Sequence, residues 1–436
     1  MSSAAVATII IFAILVVMLL LGVPIGISLI VSSAVVIIQS LGVSGAAPAA
    51  ALKMFRGINI FTLLAIPFFI LAGNLMNKGG IAKRLINLAL ALTGRIPGSL
   101  AHTNIVANML FGAISGSGTA AASAMGSIIA PIERTEGYDE DFSAAVNVAT
   151  APTGMLIPPS TAMITYSLAS GGTSIAALFL GGYIPGILWG LGCMVVAYFY
   201  AKKFHYYSAR KITNKEFLKY VIDAIPSLLL IIIVIGGICS GIFTATEASG
   251  VAVLYSFILS FFIYKNIDLK ETYSILVNSA KMSGIIMFLV GASNIMAWVM
   301  SFTGIPDAIA KGVLSVSDNR IIVLLVINLL LLFVGTFMDL TPAILIFTPI
   351  LLPVCQDLGM TALQFGIMIV FNLCIGCITP PVGSILFVGV KVANRKVENV
   401  MPILLRFYVV IFIVLMMVTF IPGISMIIPR LAGYVK

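Results

Sequence analysis

The sequence predicts an all-α integral membrane protein made of two inverted repeats, each with five transmembrane spans and one re-entrant hairpin. The first observation is composition: 61% of the 436 residues are hydrophobic, 9% are charged, and mean hydropathy is +1.17. A soluble core of this size cannot bury so much apolar surface. The second observation is that helix-breaking and polar residues interrupt the apolar sequence twice in each half. Such backbone persists at membrane depth only where protein or a cavity surrounds it.

The third observation is that these interruptions recur at a constant spacing. Pro158 and Pro159 are matched by Pro380 and Pro381, 222 positions later. The recurrence indicates two copies of one unit. In chain order we call the four interruptions the first tip (residues 114–119), the first break (151–160), the second tip (335–342) and the second break (377–384).

Ten segments have the length of a full span, since about 20 helical residues cross the roughly 30 Å of bilayer hydrocarbon. They are residues 4–23, 24–40, 58–76, 142–170, 175–201, 220–240, 245–264, 275–302, 363–390 and 401–429. The first segment has no basic region before it and no small-residue cleavage site. It is therefore predicted to be retained as a span rather than removed as a signal peptide.

Two regions are too long for one span and too short for two. Residues 97–132 are interrupted by the first tip, which leaves arms of about 20 Å each. A hairpin that enters the membrane and returns to the same side fits these lengths, and residues 320–354 around the second tip fit in the same way. Residues 77–95 and 304–317, which precede the hairpins, are predicted to be amphipathic surface arms.

The predicted domains are a first repeat over residues 1–201, a cytoplasmic linker over 202–219 and a second repeat over 220–436. Five crossings is an odd number, so the second repeat is inserted upside down. An N-terminus outside the cell places most of the 24 lysines and arginines in the cytoplasm, as the positive-inside rule requires. The basic residues left outside are Lys53, Arg56, Lys311, Arg320, Arg430 and Lys436.

The sequence lacks the residues that other classes of function require. The net charge of +9 comes from short basic clusters between apolar runs, without the aromatic and basic patch of a nucleic-acid-binding protein. A serine nucleophile at Ser117 would need a base, and the two histidines, His102 and His205, do not supply one. No metalloprotease or ATP-binding motif is present, so the chain is predicted not to be an enzyme.

Two further groups of residues are assigned structural roles. The five cysteines, including the Cys374 and Cys377 pair, are predicted to be small core residues. The charged run from Glu133 to Asp141 is predicted to be a solvated cytoplasmic loop, and Glu247 a helix cap in the membrane-fixed part.

The tips and breaks are the candidate site, because inverted repeats with interrupted helices are typical of secondary transporters that bind solute at the midplane. Half-helix N-termini present unpaired N–H groups to an anion, and freed carbonyls and hydroxyls are oxygen ligands for Na⁺. Glycines alone would equally suit close helix packing. Asp339 is a candidate ligand as an intramembrane carboxylate, with a helix cap as its structural alternative.

The chain resembles the large membrane subunit of tripartite ATP-independent periplasmic (TRAP) transporters. The resemblance departs from the family at Ala245, where proline is frequent, and this alters a turn only. The stretches that carry it run through nearly the whole chain: Gly22–Ile25, Pro67–Gly73, Gly112–Ser117, Gly137–Tyr138, Ile157–Ser160, Gly241–Ala248 and Thr379–Gly383.

The resemblance implies an elevator-type carrier of the ion-transporter superfamily in the bacterial inner membrane, with both termini periplasmic. It implies symport of an organic acid, of the sialic acid or C4-dicarboxylate class, with two or more Na⁺ ions. Its partners would be a small four-span membrane subunit and a soluble periplasmic binding protein, besides the lipid bilayer and without nucleic acid. A stand-alone Na⁺- or H⁺-coupled carboxylate carrier is the alternative.

By the same resemblance, one Na⁺ lies between the first tip and the first break and another between the second tip and the second break. The predicted sodium ligands are Ser115, Gly116, Gly118, Thr119, Thr153, Gly154, Pro158, Gly335, Thr336, Asp339, Thr379, Pro380 and Gly383. The predicted substrate-binding residues are Ser115, Ser117, Ser160, Asp339 and Ser384.

Overall fold

The computed structural model describes residues 3–94, 96–206, 213–305 and 319–435, and within these ranges it contains helices and no strand. Nine of the described helices are long and apolar enough to cross a membrane. Large apolar side chains such as Phe199, Ile232 and Leu329 are exposed on their outer faces, which suits contact with lipid. The prediction of an all-α integral membrane protein is confirmed.

The first half contains ten α-helices, and α3 follows a 3₁₀ turn over Phe61–Leu64. They are α1 (Ser3–Leu20), α2 (Ile25–Ile58), α3 (Ala65–Lys78), α4 (Ile81–Thr93), α5 (Ser99–Ser115), α6 (Gly118–Thr135), α7 (Glu140–Thr150), α8 (Thr153–Leu156), α9 (Thr161–Ala169) and α10 (Ile175–Phe204). Helices α5 and α6 are the arms of the first hairpin, and α7, α8 and α9 are the segments of the first broken helix.

The second half contains nine α-helices within its described residues. They are α11 (Asn214–Cys239), α12 (Ala245–Phe257, continued by π-helical Ile258–Ile263), α13 (Leu269–Phe302), α14 (Arg320–Phe337), α15 (Leu340–Asp357), α16 (Ala362–Gly376), α17 (Ser384–Val392), α18 (Val397–Phe420) and α19 (Pro422–Leu431). Helices α14 and α15 are the arms of the second hairpin, and α16 and α17 flank the second break.

Local sequence explains where the first three helices of the second half begin. Thr213 with Glu216, Thr244 with Glu247, and Asp268 with Glu271 form capping boxes at α11, α12 and α13, in which the first side chain and the glutamate each satisfy a free backbone N–H. Glu247 is thus a helix cap, as predicted.

Several boundaries differ from the predicted ones. The span predicted over 24–40 ends close to a kink at Gly42, which takes a φ of 68°, and a further helical segment of α2 follows the kink to Ile58. The span predicted over 401–429 ends at Phe420, because Pro422 forces Ile421 out of the helical conformation. Helix α11 begins inside the predicted linker. The arm predicted over 77–95 contains α4, whereas nearly all of the arm predicted over 304–317 lies outside the described residues.

The helices pack in two groups. In one group α2 lies against α13, α3 against α12, α1 against α2 and α11 against α12. In the other, α10 lies against α18 and α19, while α6 contacts α17 and α9 contacts α15 across the two halves. Helix α3 touches α5, and α13 touches α15, so both hairpins adjoin the first group.

An ionic network joins the base of the first hairpin to the second half. Arg134 donates two hydrogen bonds to Glu140, of 2.6 and 2.8 Å. Arg395, between α17 and α18, donates two to Asp141, of 2.6 and 2.9 Å, and one to Glu140. Arg134 lowers the pKa of the Glu140 carboxyl by hydrogen bonding to its charged form.

The charged run from Glu133 to Asp141 is not wholly solvated, so that prediction is wrong for its first residue. Glu133 is fully buried in the last turn of α6, outside the membrane-capable helices. Desolvation raises the pKa of its carboxyl to about 7, partly offset by the Ser143 hydroxyl beside it. The side chain faces Ser143 of the adjoining helix α7, a contact that sequence spacing does not reveal.

Candidate functional site

The first tip is a tight turn between the two arms of the first hairpin. Helix α5 ends at Ser115, and Gly116 follows in the left-handed conformation with a φ of 61°, its N–H donating to the Gly112 carbonyl at 2.7 Å. Glycine suits this conformation because it has no Cβ. Ser117 caps α6 by accepting from the Ala120 N–H at 3.3 Å and lies 3.2 Å from the Thr119 hydroxyl.

The first break leaves buried carbonyls without donors. Residues 151–160 are all buried, and the Pro158–Pro159 peptide bond is cis, as is Pro380–Pro381 in the second break. No donor within the described parts of the chain reaches the carbonyls of Ile157, Pro158 or Pro159. Ser160 caps α9 and donates to the Met155 carbonyl. Buried carbonyls normally have a partner, so these oxygens are candidate ligands for a cation or water.

The first tip and the first break meet as predicted. The Thr161 hydroxyl donates to the Gly116 carbonyl at 3.3 Å. A Cβ on Gly116 would lie 3.4 Å from the Pro159 carbonyl oxygen. Behind them Gly154 packs directly on the backbone of Gly112, with no room for a side chain on either. Gly154 therefore has the alternative role for glycine, which is close helix packing.

The second tip exposes a carboxylate. Helix α14 ends at Phe337 and α15 begins at Leu340, with Asp339 at the N-cap position. The Asp339 side chain makes no capping hydrogen bond, so the alternative role as a side-chain cap is not observed. Asp339 is exposed, and its carboxylate remains available to a ligand.

The second break meets the second tip through the backbone. Helix α16 ends at Gly376 and α17 begins at Ser384, and the Val382 N–H donates to the Thr336 carbonyl at 3.1 Å. The carbonyls of Thr379, Pro380 and Pro381 accept no hydrogen bond from any described residue. Gly335 packs on the backbone of Gly376, as Gly154 does on Gly112.

A Cβ on Gly383 would lie 2.8 Å from the Thr379 carbonyl oxygen. Since that distance is shorter than a van der Waals contact, the turn at the second break requires glycine at this position.

Three threonines present their hydroxyl oxygens in the same way. Thr153 donates to the Thr150 carbonyl at 2.6 Å, Thr336 to Phe333 at 2.7 Å and Thr379 to Ile375 at 2.7 Å. Because each hydroxyl proton is directed at a backbone carbonyl three or four residues earlier, the lone pairs of the oxygen remain to accept a hydrogen bond or to bind a cation. Such an oxygen is suited to bind a cation.

The two site pairs adjoin each other. A Cβ on Gly118 of the first tip would lie 3.0 Å from the Met155 side chain and would overlap Ile385 just after the second break. Hairpin arm α6 thus contacts α17, and arm α15 contacts α9. The fold therefore places the first tip beside the start of α17, next to the second break.

Sequence reasoning missed two side chains at the second break. Tyr408 of α18 donates its hydroxyl to the Ile378 carbonyl. Cys377, predicted to be a core residue, is buried but lies beside the Ser384 hydroxyl and the Leu340 backbone, within electrostatic range of Asp339. Nothing in the sequence marked Tyr408, since one tyrosine in an apolar span carries no periodic signal.

Known proteins match this chain over almost its whole length. A family model described as the DctM component of the tripartite ATP-independent periplasmic transporter matches residues 12–424. An uncharacterized protein of Salmonella typhimurium, YgiK, is 52% identical over 97% of this chain and 97% of its own length. The sialic acid TRAP transporter large permease protein SiaM of Vibrio cholerae is 39% identical, covering 96% and 97%. The C4-dicarboxylate TRAP transporter large permease protein DctM of Rhodobacter capsulatus is 35% identical, covering 98% and 100%.

Proposed function

Because this chain belongs to the family of TRAP transporter large membrane subunits, we propose that it imports an organic acid in symport with Na⁺. It is a multi-pass inner-membrane transport subunit and not an enzyme. The family implies a small membrane subunit and a periplasmic binding protein as partners. The proposal adds the coupling ion, the class of solute and the residues that bind them.

The observation that carries the proposal is the set of oxygens at the two tip–break pairs. In the first pair the carbonyls of Ile157, Pro158 and Pro159 accept no hydrogen bond from a described residue, and Thr153 adds a hydroxyl oxygen. In the second pair Thr336 and Thr379 add hydroxyl oxygens beside unpaired carbonyls and the Asp339 carboxylate. Na⁺ is a hard cation and prefers such oxygen ligands, so each pair is proposed to bind at least one transported ion.

The anionic solute is proposed to bind at the helix N-termini that converge on this region. Helices α6, α9, α15 and α17 begin at or beside the tips and breaks, and their first N–H groups and dipoles favour a carboxylate. Residues of the tips and breaks include no lysine or arginine. Two of the named relatives, SiaM and DctM, are a sialic acid and a C4-dicarboxylate transporter protein. We propose a solute of one of these classes, bound with help from Ser115, Ser117, Ser160 and Ser384.

An elevator movement between inverted repeats is the proposed mechanism. If α2 and α3 correspond to α12 and α13, the contact of α2 with α13 is equivalent to the contact of α12 with α3. In the same way, if α6 and α9 correspond to α15 and α17, the contact of α6 with α17 is equivalent to the contact of α15 with α9. This supports a twofold relation between the halves. In the proposal α1–α3 and α11–α13 stay fixed, while the hairpins and broken helices carry the ions and solute across the membrane.

The proposed topology has both termini in the periplasm, with the first hairpin entering from the cytoplasm and the second from the periplasm. The proposed partners are a membrane subunit of four spans and a soluble binding protein that delivers the solute. Charge distribution supports this orientation, because it places most basic residues in the cytoplasm.

Reconstitution tests the function directly. The chain is placed in proteoliposomes with its small membrane subunit, and its binding protein is added outside together with radiolabelled sialic acid or C4-dicarboxylate. We expect uptake that requires an inward Na⁺ gradient and all three proteins, and no uptake with K⁺ in place of Na⁺. Uptake by the chain alone would favour the stand-alone carrier, and uptake independent of Na⁺ would reject the coupling ion.

A further inference from the structure

The helix that packs against the break differs in its contact residue between the two halves. Leu156 and Ile378 occupy matching positions, 222 residues apart, and so do Gly186 of α10 and Tyr408 of α18. In the first half, a Cβ on Gly186 would overlap the Ile157 side chain, and one on Gly182 would overlap the Leu156 carbonyl. Helix α10 is therefore packed directly on the first break.

In the second half a tyrosine fills the corresponding space. The Tyr408 side chain is 6% exposed, and its hydroxyl donates to the Ile378 carbonyl. Helix α16 ends at Gly376, so the Ile378 carbonyl lies beyond the hydrogen bonds of that helix. The same hydroxyl lies beside that of Thr379. The ring also packs edge-on to Phe412 of its own helix, with centroids 6.2 Å apart. These contacts hold the Tyr408 side chain against the second break.

The other hydrogen bonds at the second break show which carbonyls have a donor besides the one that Tyr408 binds. The Cys377 carbonyl accepts from the Ile385 N–H at 2.9 Å, and the Gly376 carbonyl accepts from the Thr379 N–H at 3.0 Å. With Ile378 held by Tyr408, the unpaired carbonyls begin at Thr379. The tyrosine thereby fixes the boundary between backbone that is satisfied by the protein and backbone that is available to a ligand.

We propose that Tyr408 is a positioning residue, which holds the Ile378 peptide so that the Thr379 hydroxyl and the carbonyls after it face the bound cation. It acts through the Ile378 and Thr379 peptides rather than as a ligand itself. Without the hydroxyl, the Ile378 carbonyl is an unpaired buried acceptor and the peptide reorients towards another donor. This inference rests on the proposed Na⁺ coupling.

The test compares Tyr408→Phe with Tyr255→Phe in the full chain. Tyr255 also donates its hydroxyl to a backbone carbonyl, that of Pro226 at 2.9 Å, but between α12 and α11 and away from both breaks. Thermal stability of each purified protein is measured against NaCl concentration, with choline chloride holding ionic strength constant. This readout needs no knowledge of the solute.

We expect Tyr408→Phe to raise the Na⁺ concentration for half-maximal stabilisation by about fivefold or more, the factor for one lost hydrogen bond. Tyr255→Phe should leave that concentration unchanged. In a double-mutant cycle Tyr408→Phe and Thr379→Val should be non-additive, since both act on one peptide.

Each other outcome is decisive. An unchanged Na⁺ midpoint in Tyr408→Phe, or strict additivity with Thr379→Val, would overturn the positioning role. Recovery of Tyr408→Phe only as aggregate, with Tyr255→Phe folded, would also overturn it, because the hydroxyl would then hold the fold rather than the site. Absence of any Na⁺ effect on the unmodified chain would instead reject the proposed coupling on which the inference rests.

Discussion

Replacing Thr379 by valine tests the proposed second sodium site with little change in shape. Valine keeps the β-branched outline of threonine and removes the hydroxyl, whose proton is donated to the Ile375 carbonyl at 2.7 Å. The neighbouring carbonyls of Thr379 and Pro380 stay in place. The variant therefore removes one proposed ligand from a site that otherwise remains.

The size of the effect follows from the contact that is lost. An unmade polar contact at a buried site costs about 1–3 kcal/mol, which corresponds to about one to two decades in Na⁺ affinity. We expect the Na⁺ concentration for half-maximal uptake by the complete transporter to rise by that factor. Thr153→Val should act similarly at the first site, because its hydroxyl is directed at the Thr150 carbonyl in the same way.

Thr303→Val is the matched control. Its hydroxyl donates to the Val299 carbonyl at 2.8 Å at the end of α13, so the same kind of bond is lost outside the tips and breaks. We expect no change in Na⁺ dependence for this variant. If Thr379→Val loses thermal stability while its Na⁺ midpoint equals that of Thr303→Val, the hydroxyl serves helix packing and the reasoning is refuted.

Gly154→Ala should cost about 1–3 kcal/mol by overpacking, since the new methyl overlaps the Gly112 backbone, whereas Gly250→Ala, with open space around it, should be neutral or stabilising in a melting assay. Burial raises the folded pKa of Glu133 above its ordinary 4.5 to about 7, so stability should fall as pH rises through that interval. The Glu133→Gln variant should thus be more stable than the parent at pH 8, by up to about 3 kcal/mol, and should have the same stability as the parent at pH 4. A stability difference that does not change with pH would contradict the burial argument. In a cysteine-free background, Lys203→Cys should be labelled only from the cytoplasm and Asp357→Cys only from the periplasm, and labelling of both from one side would contradict the inverted topology.

The backbone breaks of the candidate site could be predicted from the sequence, because glycine and proline mark such breaks. Their recurrence after 222 residues predicts both tip–break pairs. Sequence could not separate the two roles of glycine, however. Gly116 turns the first tip with a positive φ, whereas Gly154 is a packing surface for Gly112, and only the neighbour decides between these roles.

Boundaries and burial were less predictable, since they depend on cooperative packing. Beyond the Gly42 kink a further helical segment runs to Ile58, whereas the predicted span ends at residue 40. Glu133 lies in a run of charges and is nevertheless buried, because its helix turns that side chain towards α7 and Ser143. A charge run specifies composition and does not specify which face of the helix meets its neighbours.

The sequence by itself determined that this is a helical membrane protein, which segments are apolar enough to span, and where helices break, because hydropathy and backbone chemistry are local properties. Only the tertiary structure decided which oxygens lie together at each tip–break pair, that Tyr408 rather than a glycine supports the second break, and that Asp339 makes no cap. Those features depend on helices distant in the chain, such as α16 and α18, and on the direction of each side chain at their contact.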